Sequence, residues 1–346
     1  MARQLLSRTV ATLTRQVQPI TRTAEGAVAI SYPTLVSTPL SLGDAIADAE
    51  TLHMPLQMKH LDLIPDHVVA EHRFLLKWVC DDEGNYEWEA RSAGSLFYDK
   101  LSATKAYVFP VIDTLKGSYY ANPVVDKPRP DRNEKGIEGF EDAFKDLGRF
   151  VFNVGCQLAA ACQPFALSHL SDSSISLPEL ISTSQTTKAR LLHYFPPPPG
   201  EAQAKEDEPV DSWCGFHLDH SLLTGLCSAM FLRKQPGGEP EIVSSPSPSS
   251  GLYIRTRGGD LNKVSIPADC LAFQTGEALE VATGGKLRAT PHCVRVGATG
   301  PDAVNISRQT LALFMQPNTN QFLSPTTTFG QFSKRVFDEH YGAETM

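Results

Sequence analysis

Two hydrophobic rhythms divide the chain. Across residues 138–166 apolar side chains recur at steps of three and four, at Phe140, Phe144, Leu147, Val151, Val154 and Leu158. That is the period of a helix burying one face. Gly148 and Gly155 within it cost helix propensity and offer close approach to a neighbour. Beyond residue 185 the texture becomes β-type, in runs at 190–195, 213–218, 223–232, 252–257, 269–274, 287–296 and 307–316. Gly, Pro and Ser punctuate these runs at the spacing of an antiparallel sandwich or barrel. An amphipathic helix over 328–341 closes the chain. Upstream, 27–36 reads as a first strand, the surroundings of 42–52 as a helical patch, and 96–115 as mixed helix and connection.

These elements predict an α+β, mainly β protein folded as one globular unit. Its parts are an arm over 1–24, a mainly helical region over 25–186, a β-rich core over 187–317 and a C-terminal helix over 318–346. The loops at 196–211 and 237–250, the latter carrying SSPSPSS, read as solvated connections.

Composition narrows the class. The 346 residues are 41% hydrophobic and 20% charged, near the globular average. Thirty-one basic against 39 acidic side chains leave a net charge of −8, which argues against a nucleic-acid-binding surface. No apolar stretch in the sequence approaches the length of a membrane span, so no membrane segment is expected. The 7 cysteines form no C-x-x-C pair, which argues against zinc-ribbon and thioredoxin sites and for buried free thiols in a reducing compartment. Residues 1–24 carry Arg3, Arg8, Arg15 and Arg22 and no acid. On a helix Arg8, Arg15 and Arg22 would oppose Leu6, Val10, Leu13, Val17 and Ile20, as in a transit peptide; a mobile arm or a short docked helix has the same pattern. The location is therefore cytoplasmic, or mitochondrial or plastid if the arm is a transit peptide.

One segment carries chemistry. In WCGFHLDHS, His217 and Asp219 are two residues apart, and on a strand such positions face the same side. A second imidazole, His292, lies in RATPHCVRV, another β-type run. Two neutral imidazoles and one carboxylate suit a facial Fe(II) site that leaves coordination positions open. Further on, SRQTLALFMQP places Arg308 and Thr310 two apart on an apolar strand. An inward Arg there is costly unless it meets an anion, and its planar fork pairs with a carboxylate. His220 falls on the opposite face from His217 and is expected to be structural. Trp213 and Phe216 are expected in the core, with one of them within reach of a pocket wall. His53, His60, His67 and His72 have no chelating spacing.

The succession HLDHSLLTGL, ADCLAFQTGEALEVATGGKLRATPHCVRV and SRQTLALFMQP resembles the Fe(II)/2-oxoglutarate-dependent oxygenases of the isopenicillin N synthase-like type. That family shows His-x-Asp, a glycine-acid-leucine turn, a small-Gly hairpin, then His and Arg-x-Ser. The resemblance spans about residues 187–317. It implies a double-stranded β-helix (jelly-roll) core with N-terminal buttressing helices. It also implies iron ligation by His217, Asp219 and His292, and a 2-oxoglutarate carboxylate held by Arg308 and Thr310. The family's co-substrate tyrosine precedes a proline pair; in RLLHYFPPPP either Tyr194 or the slot taken by Phe195 matches it. Thr310 stands where the family has Ser, and both histidine intervals are longer than usual. The activity implied is oxidation of a small molecule by O₂, as hydroxylation, desaturation or cyclisation, with release of succinate and CO₂. Two alternatives stand beside it: an oxidase that spends Arg308 on the substrate's own carboxylate without 2-oxoglutarate, and a non-catalytic jelly-roll binding protein. Sequence leaves the oligomeric state open.

Overall fold

In a computed structural model the described residues are 21–23, 27–37, 56–59, 116–125, 140–168, 170, 172–194, 196, 214–236, 240–295 and 305–341. They form a large, mostly antiparallel sheet facing a small one. The large sheet contains β1 (Thr21–Arg22), β2 (Val28–Ser31), β3 (Leu56–Lys59), β4 (Lys116–Ala121), β5 (Lys188–Tyr194), β7 (Leu223–Cys227), β8 (Met230–Arg233), β9 (Glu241–Val243), β12 (Leu271–Thr275) and β14 (Ile306–Met315). Its order is β1-β2-β3-β12-β7-β14-β5-β4, with β8 beside β14 and β9 beside β8. The small sheet runs β11-β10-β13-β6, from β6 (Cys214–His217), β10 (Gly251–Arg255), β11 (Leu261–Val264) and β13 (His292–Arg295). A short ribbon, β15 (Phe322–Ser324) and β16 (Thr327–Thr328), precedes the last helix.

Alternation along β14 shows how this frame divides. Leu311, Leu313 and Met315 turn outward into the main core beneath the helix Phe140–Leu167 (α2), with Phe144, Leu147, Val151, Val154 and Leu158. Ala312 and Phe314 turn inward, joining Leu192, Leu252, Ile254 and Val294 between the sheets. The helix lies close because glycine stands at the contacts. A Cβ on Gly225 would come within 2.6 Å of the Val151 Cγ1, and one on Gly155 within 2.4 Å of the Met315 sulfur. Met315 could swing aside, but β-branched Val151 has little rotamer freedom. A short helix, α3 (Leu177–Ser182), buries Leu177, Leu180 and Ile181 in the same core, its first turn capped by the Ser176 hydroxyl. After α4 (Glu277–Ala282), the closing helix α5 (Phe329–Tyr341) adds Phe329, Phe332 and Val336.

Several expectations are corrected. The strand over 27–36 ends at Ser31, and Tyr32–Ser37 is a helix (α1) with Pro33 in its first turn, where proline's missing N–H costs nothing. The described part of 25–186 supplies β2 to β4 as well as helix, and β2 and β3 form a parallel pair. Arg22, placed on a helix with Arg8 and Arg15, lies on β1. The run 223–232 is two strands broken at Ser228, whose hydroxyl donates to the Ile266 carbonyl at 2.7 Å. Among the described residues 287–295 only His292–Arg295 is a strand, because the preceding N–H groups of Leu287, Ala289 and Thr290 bond to Thr283, Glu280 and Thr275.

The serine-rich segment is only partly solvated, with Ser244, Ser245 and Pro248 exposed. Ser247 and Ser250 are buried, Ser245 and Ser247 bond within the segment, and the Tyr253 hydroxyl donates to the Ser249 carbonyl at 2.8 Å. The segment 142–167 is also long and apolar enough to cross a membrane, contrary to the reading of the sequence. Here it is the helix whose apolar stripe the large sheet covers. Residues 1–20, the patch at 42–52, the segment 96–115, the loop at 197–211, His53, His60, His67, His72, Trp213 and Phe195 lie outside the described residues.

Beneath α2, His193 is fully buried, its Nδ1 accepting from the Gln309 amide at 2.8 Å. Burial holds its imidazole down at about 3, whereas an unfolded histidine titrates near ~6.5. Between those values the unfolded chain takes up the proton and the folded one does not. Stability is therefore expected to fall as pH drops from about 6.5 toward 3. Urea unfolding of the wild type and His193→Gln at pH 4 to 7 checks this: the variant should show the shallower dependence, and identical slopes would contradict the assignment.

Candidate metal centre

The centre is assembled where β6 meets β13. These strands are antiparallel neighbours, and His217 and His292 are direct partners in the ladder. Their rings lie 4.2 Å apart, centroid to centroid. The His217 Nδ1–H donates to the Gly215 carbonyl at 2.8 Å and the His292 Nδ1–H to the Thr290 carbonyl at 2.9 Å. A carbonyl can only accept, so each bond fixes the tautomer and leaves Nε2 as the lone-pair donor. Both Nε2 atoms face Asp219: His217 Nε2 is 3.8 Å from Oδ1 and His292 Nε2 is 3.7 Å from Oδ2. One donor atom from each residue falls within 4.8 Å of the others.

Asp219 lies past the end of β6, so it reaches this point from the connection rather than by strand alternation. Backbone bonds to the turn before α4 hold it there. The Glu277 N–H donates to the Asp219 carbonyl at 2.7 Å, the Ala278 N–H to the Ser221 carbonyl at 3.3 Å and the Gly276 N–H to the Leu222 carbonyl at 3.1 Å. Gly276 has no alternative, since a Cβ would lie 2.1 Å from the Ser221 carbonyl oxygen and 2.8 Å from that of Asp219. His220, half-exposed, adds a 2.5 Å contact from Nδ1 to the Glu277 carboxylate, a structural tie from the side away from the cavity. The segment read as a glycine-acid-leucine turn is thus the start of a short helix.

The donor set fits a divalent cation. Asp219 is buried, and its Oδ2 accepts no hydrogen bond among the described residues, an expensive state for a carboxylate oxygen with nothing to neutralise it. Burial pushes the His292 imidazole below its ordinary value; Asp219 opposes that shift and His217 adds to it. A neutral imidazole is the metal-binding form. His217 remains exposed while Asp219 and His292 are buried, which leaves an approach from one side.

The triad opens into a cavity of about 200 Å³ between the sheets. Arg308, Thr310, Ala312 and Phe314 line it from β14, and Arg190, Leu192 and Tyr194 from β5. Arg308 and Tyr194 are cross-strand partners, and the buried guanidinium carbon stands 5.2 Å from the centre of the Tyr194 ring. Tyr194 therefore lines the cavity wall, while Phe195, the other slot, lies outside the described residues. The Thr310 hydroxyl donates to the Cys227 carbonyl at 3.2 Å, so it would have to leave that bond to serve an anion, and Arg308 is the stronger anion-recognising group. Phe216 is corrected: alternation from inward His217 turns it outward, where it is exposed with Arg255 5.0 Å over its ring. Cys293 is buried and turned away from the cavity, and burial raises the Cys227 thiol to about 12. Sequence reasoning missed Gln274, Thr224 and Arg190 on the cavity wall. For Gln274 the signal was available: a long polar side chain interrupting the apolar run LAFQT.

No protein-family model matches the chain, and no curated protein matches it. Solved structures do. A Shewanella oneidensis protein assigned as an oxygenase superposes with a TM-score of 0.61 at 18% identity, over 91% of this chain and 98% of that one. A Caulobacter crescentus protein assigned to the 2OG-Fe(II) oxygenase family gives 0.57 at 16%, over 90% and 99%. A full-length Neurospora crassa protein, in complex with alpha-KG and 5-formyluracil, gives 0.55 at 17%, over 88% and 89%. The chain has the fold of the 2-oxoglutarate/Fe(II) oxygenases, as its motif succession implied.

The tight backbone contact at Gly276 makes a prediction. Gly276→Ala must push the Asp219–Ser221 backbone away, so it should cost about 1–3 kcal/mol of stability and weaken Fe(II) binding at least ~10-fold, about 1.4 kcal/mol. Anaerobic calorimetry beside thermal unfolding measures both. Unaltered Fe(II) affinity would show that this contact does not position Asp219.

Proposed function

We propose that this chain is a non-haem Fe(II)- and 2-oxoglutarate-dependent oxygenase acting on a small molecule. The observation that carries the reading is the opening of the His217–Asp219–His292 triad into a cavity whose wall also holds the buried Arg308–Tyr194 pair. The shared fold supports it, and the Neurospora crassa protein, which binds alpha-KG with 5-formyluracil, supports a small-molecule substrate.

In this reading His217, Asp219 and His292 hold the iron from one face. Their Nδ1 bonds to backbone carbonyls orient both imidazoles with Nε2 toward Asp219. Arg308 takes the distal carboxylate of 2-oxoglutarate through its planar fork, with Thr310 adding a hydroxyl and Tyr194 flanking the guanidinium. Leu192, Leu226, Phe231, Leu252, Val294 and Phe314 give the cavity an apolar part of its wall, beside which charge pairing is stronger than in water. Bound iron and 2-oxoglutarate supply the oxidising chemistry, consuming O₂ and releasing succinate and CO₂. The protein's part is to bind, orient and shield.

Purified protein should convert 2-oxoglutarate to succinate only with Fe(II) and O₂, and His292→Ala should abolish it. Arg308→Leu should raise the 2-oxoglutarate concentration for half-maximal turnover by about 10- to 150-fold, the range for losing a charge-assisted pair worth ~1.5–3 kcal/mol. Succinate formation that persists undiminished in His292→Ala would contradict the reading, as would an unchanged co-substrate requirement in Arg308→Leu.

A further inference from the structure

One polar group in the cavity is used by neither the iron nor the co-substrate assignment. Gln274 on β12 is 1% exposed and lines the same cavity. Among the described residues neither its amide nitrogen nor its amide oxygen has a hydrogen-bond partner. Its direction follows from alternation: Leu271 and Phe273 pack in the core under α2, so Gln274 turns between the sheets. Neighbouring hydroxyls are engaged elsewhere. Thr224, its cross-strand partner, lies 2.8 Å from the Ser221 hydroxyl, and the Thr275 hydroxyl donates to the Arg288 carbonyl at 2.9 Å. A buried amide with both ends unmet destabilises the strand it sits on, which an apolar residue would not do.

Register places Gln274 at the triad's end of the cavity. The Thr275 carbonyl accepts from Thr290, whose own carbonyl holds His292, and the next two residues bond to the segment carrying Asp219. Gln274 pairs with Thr224, and Thr224 with Phe314, whereas Arg308 lies nearer the start of β14, beside Tyr194 of β5. The amide and the guanidinium therefore meet the cavity at different places along the sheet.

We propose that Gln274 is a specificity-determining residue for a substrate bearing an amide-type edge. Gln presents a donor and an acceptor side by side, and both are unmet. The complementary ligand therefore presents an acceptor beside a donor, as a carboxamide, lactam or ureide does. A carboxylate would satisfy only the N–H and leave the oxygen buried and unmatched. The inference rests on the oxygenase reading of the cavity and names the substrate class for it.

The test compares wild type with Gln274→Met, of similar size and apolar. Thermal unfolding of the apoprotein reads the unmet amide. Anaerobic calorimetry of protein given Fe(II) and 2-oxoglutarate reads binding of uracil and 2-pyrrolidinone, with benzoate as an acid lacking the donor. The variant should unfold at a higher temperature. It should bind at least one amide-edge probe ten-fold or more weakly than wild type, and should leave 2-oxoglutarate and benzoate binding unaltered. A lower or equal unfolding temperature overturns the proposal, because the amide then has a structural partner. So does equal binding of the amide probes, their failure to bind wild type, or a ten-fold loss confined to 2-oxoglutarate. Failure of wild type to bind 2-oxoglutarate at all is a separate result: it removes the oxygenase reading, while the unfolding comparison still reports on the amide.

Discussion

The contact on which the rest depends is backbone to backbone. The connection after β6 lies against the turn that opens α4 so closely that only glycine fits at 276. Three main-chain bonds from Gly276, Glu277 and Ala278 then fix the course of residues 219–222. Asp219 is held at the end of the His217–His292 ladder by this contact rather than by its own strand. The same turn follows directly on β12, whose partner β7 begins just beyond Asp219. Large sheet, small sheet and carboxylate are thereby tied at one point.

Around that point the energetics pull in opposite directions. Packing of α2 on the outer face and apolar contacts between the sheets stabilise the frame. Inside the frame, a carboxylate oxygen and an amide are buried without hydrogen bonds among the described residues, and a guanidinium is buried beside a tyrosine. Such groups are costly in an empty cavity and favourable beside a cation, an anion and an amide-bearing ligand. Local polar cost and global apolar stability are the usual division between a binding site and its scaffold.

Much of this was legible in the sequence because it follows from period and residue type. The apolar stripe from Phe144 to Leu158 announced α2, and Arg308 and Thr310 on an apolar run announced an inward pair on β14. His217 and His292 were legible as residue types, but their cross-strand partnership depends on pairing 75 residues apart in sequence, a long-range register that local pattern does not carry. Asp219 reached its place by a different route from the strand alternation expected of it. Proline at 291 and hydrogen bonds upstream shortened β13, and the serine-rich segment, hydrophilic by composition, buries Ser247 and Ser250 with the help of local hydroxyl bonds. Phe216 was misplaced although alternation from His217 already turned it outward.

The central claim is that three protein donors and one buried guanidinium together form a site for iron and 2-oxoglutarate. Its most direct test is an anaerobic titration of the apoprotein with Fe(II) and then 2-oxoglutarate, followed by visible absorption. The account predicts a metal-to-ligand charge-transfer band that appears only when both are present and is absent from Asp219→Ala. Iron binding without any band on addition of 2-oxoglutarate would contradict the co-substrate assignment, and failure to bind iron would contradict the metal centre itself.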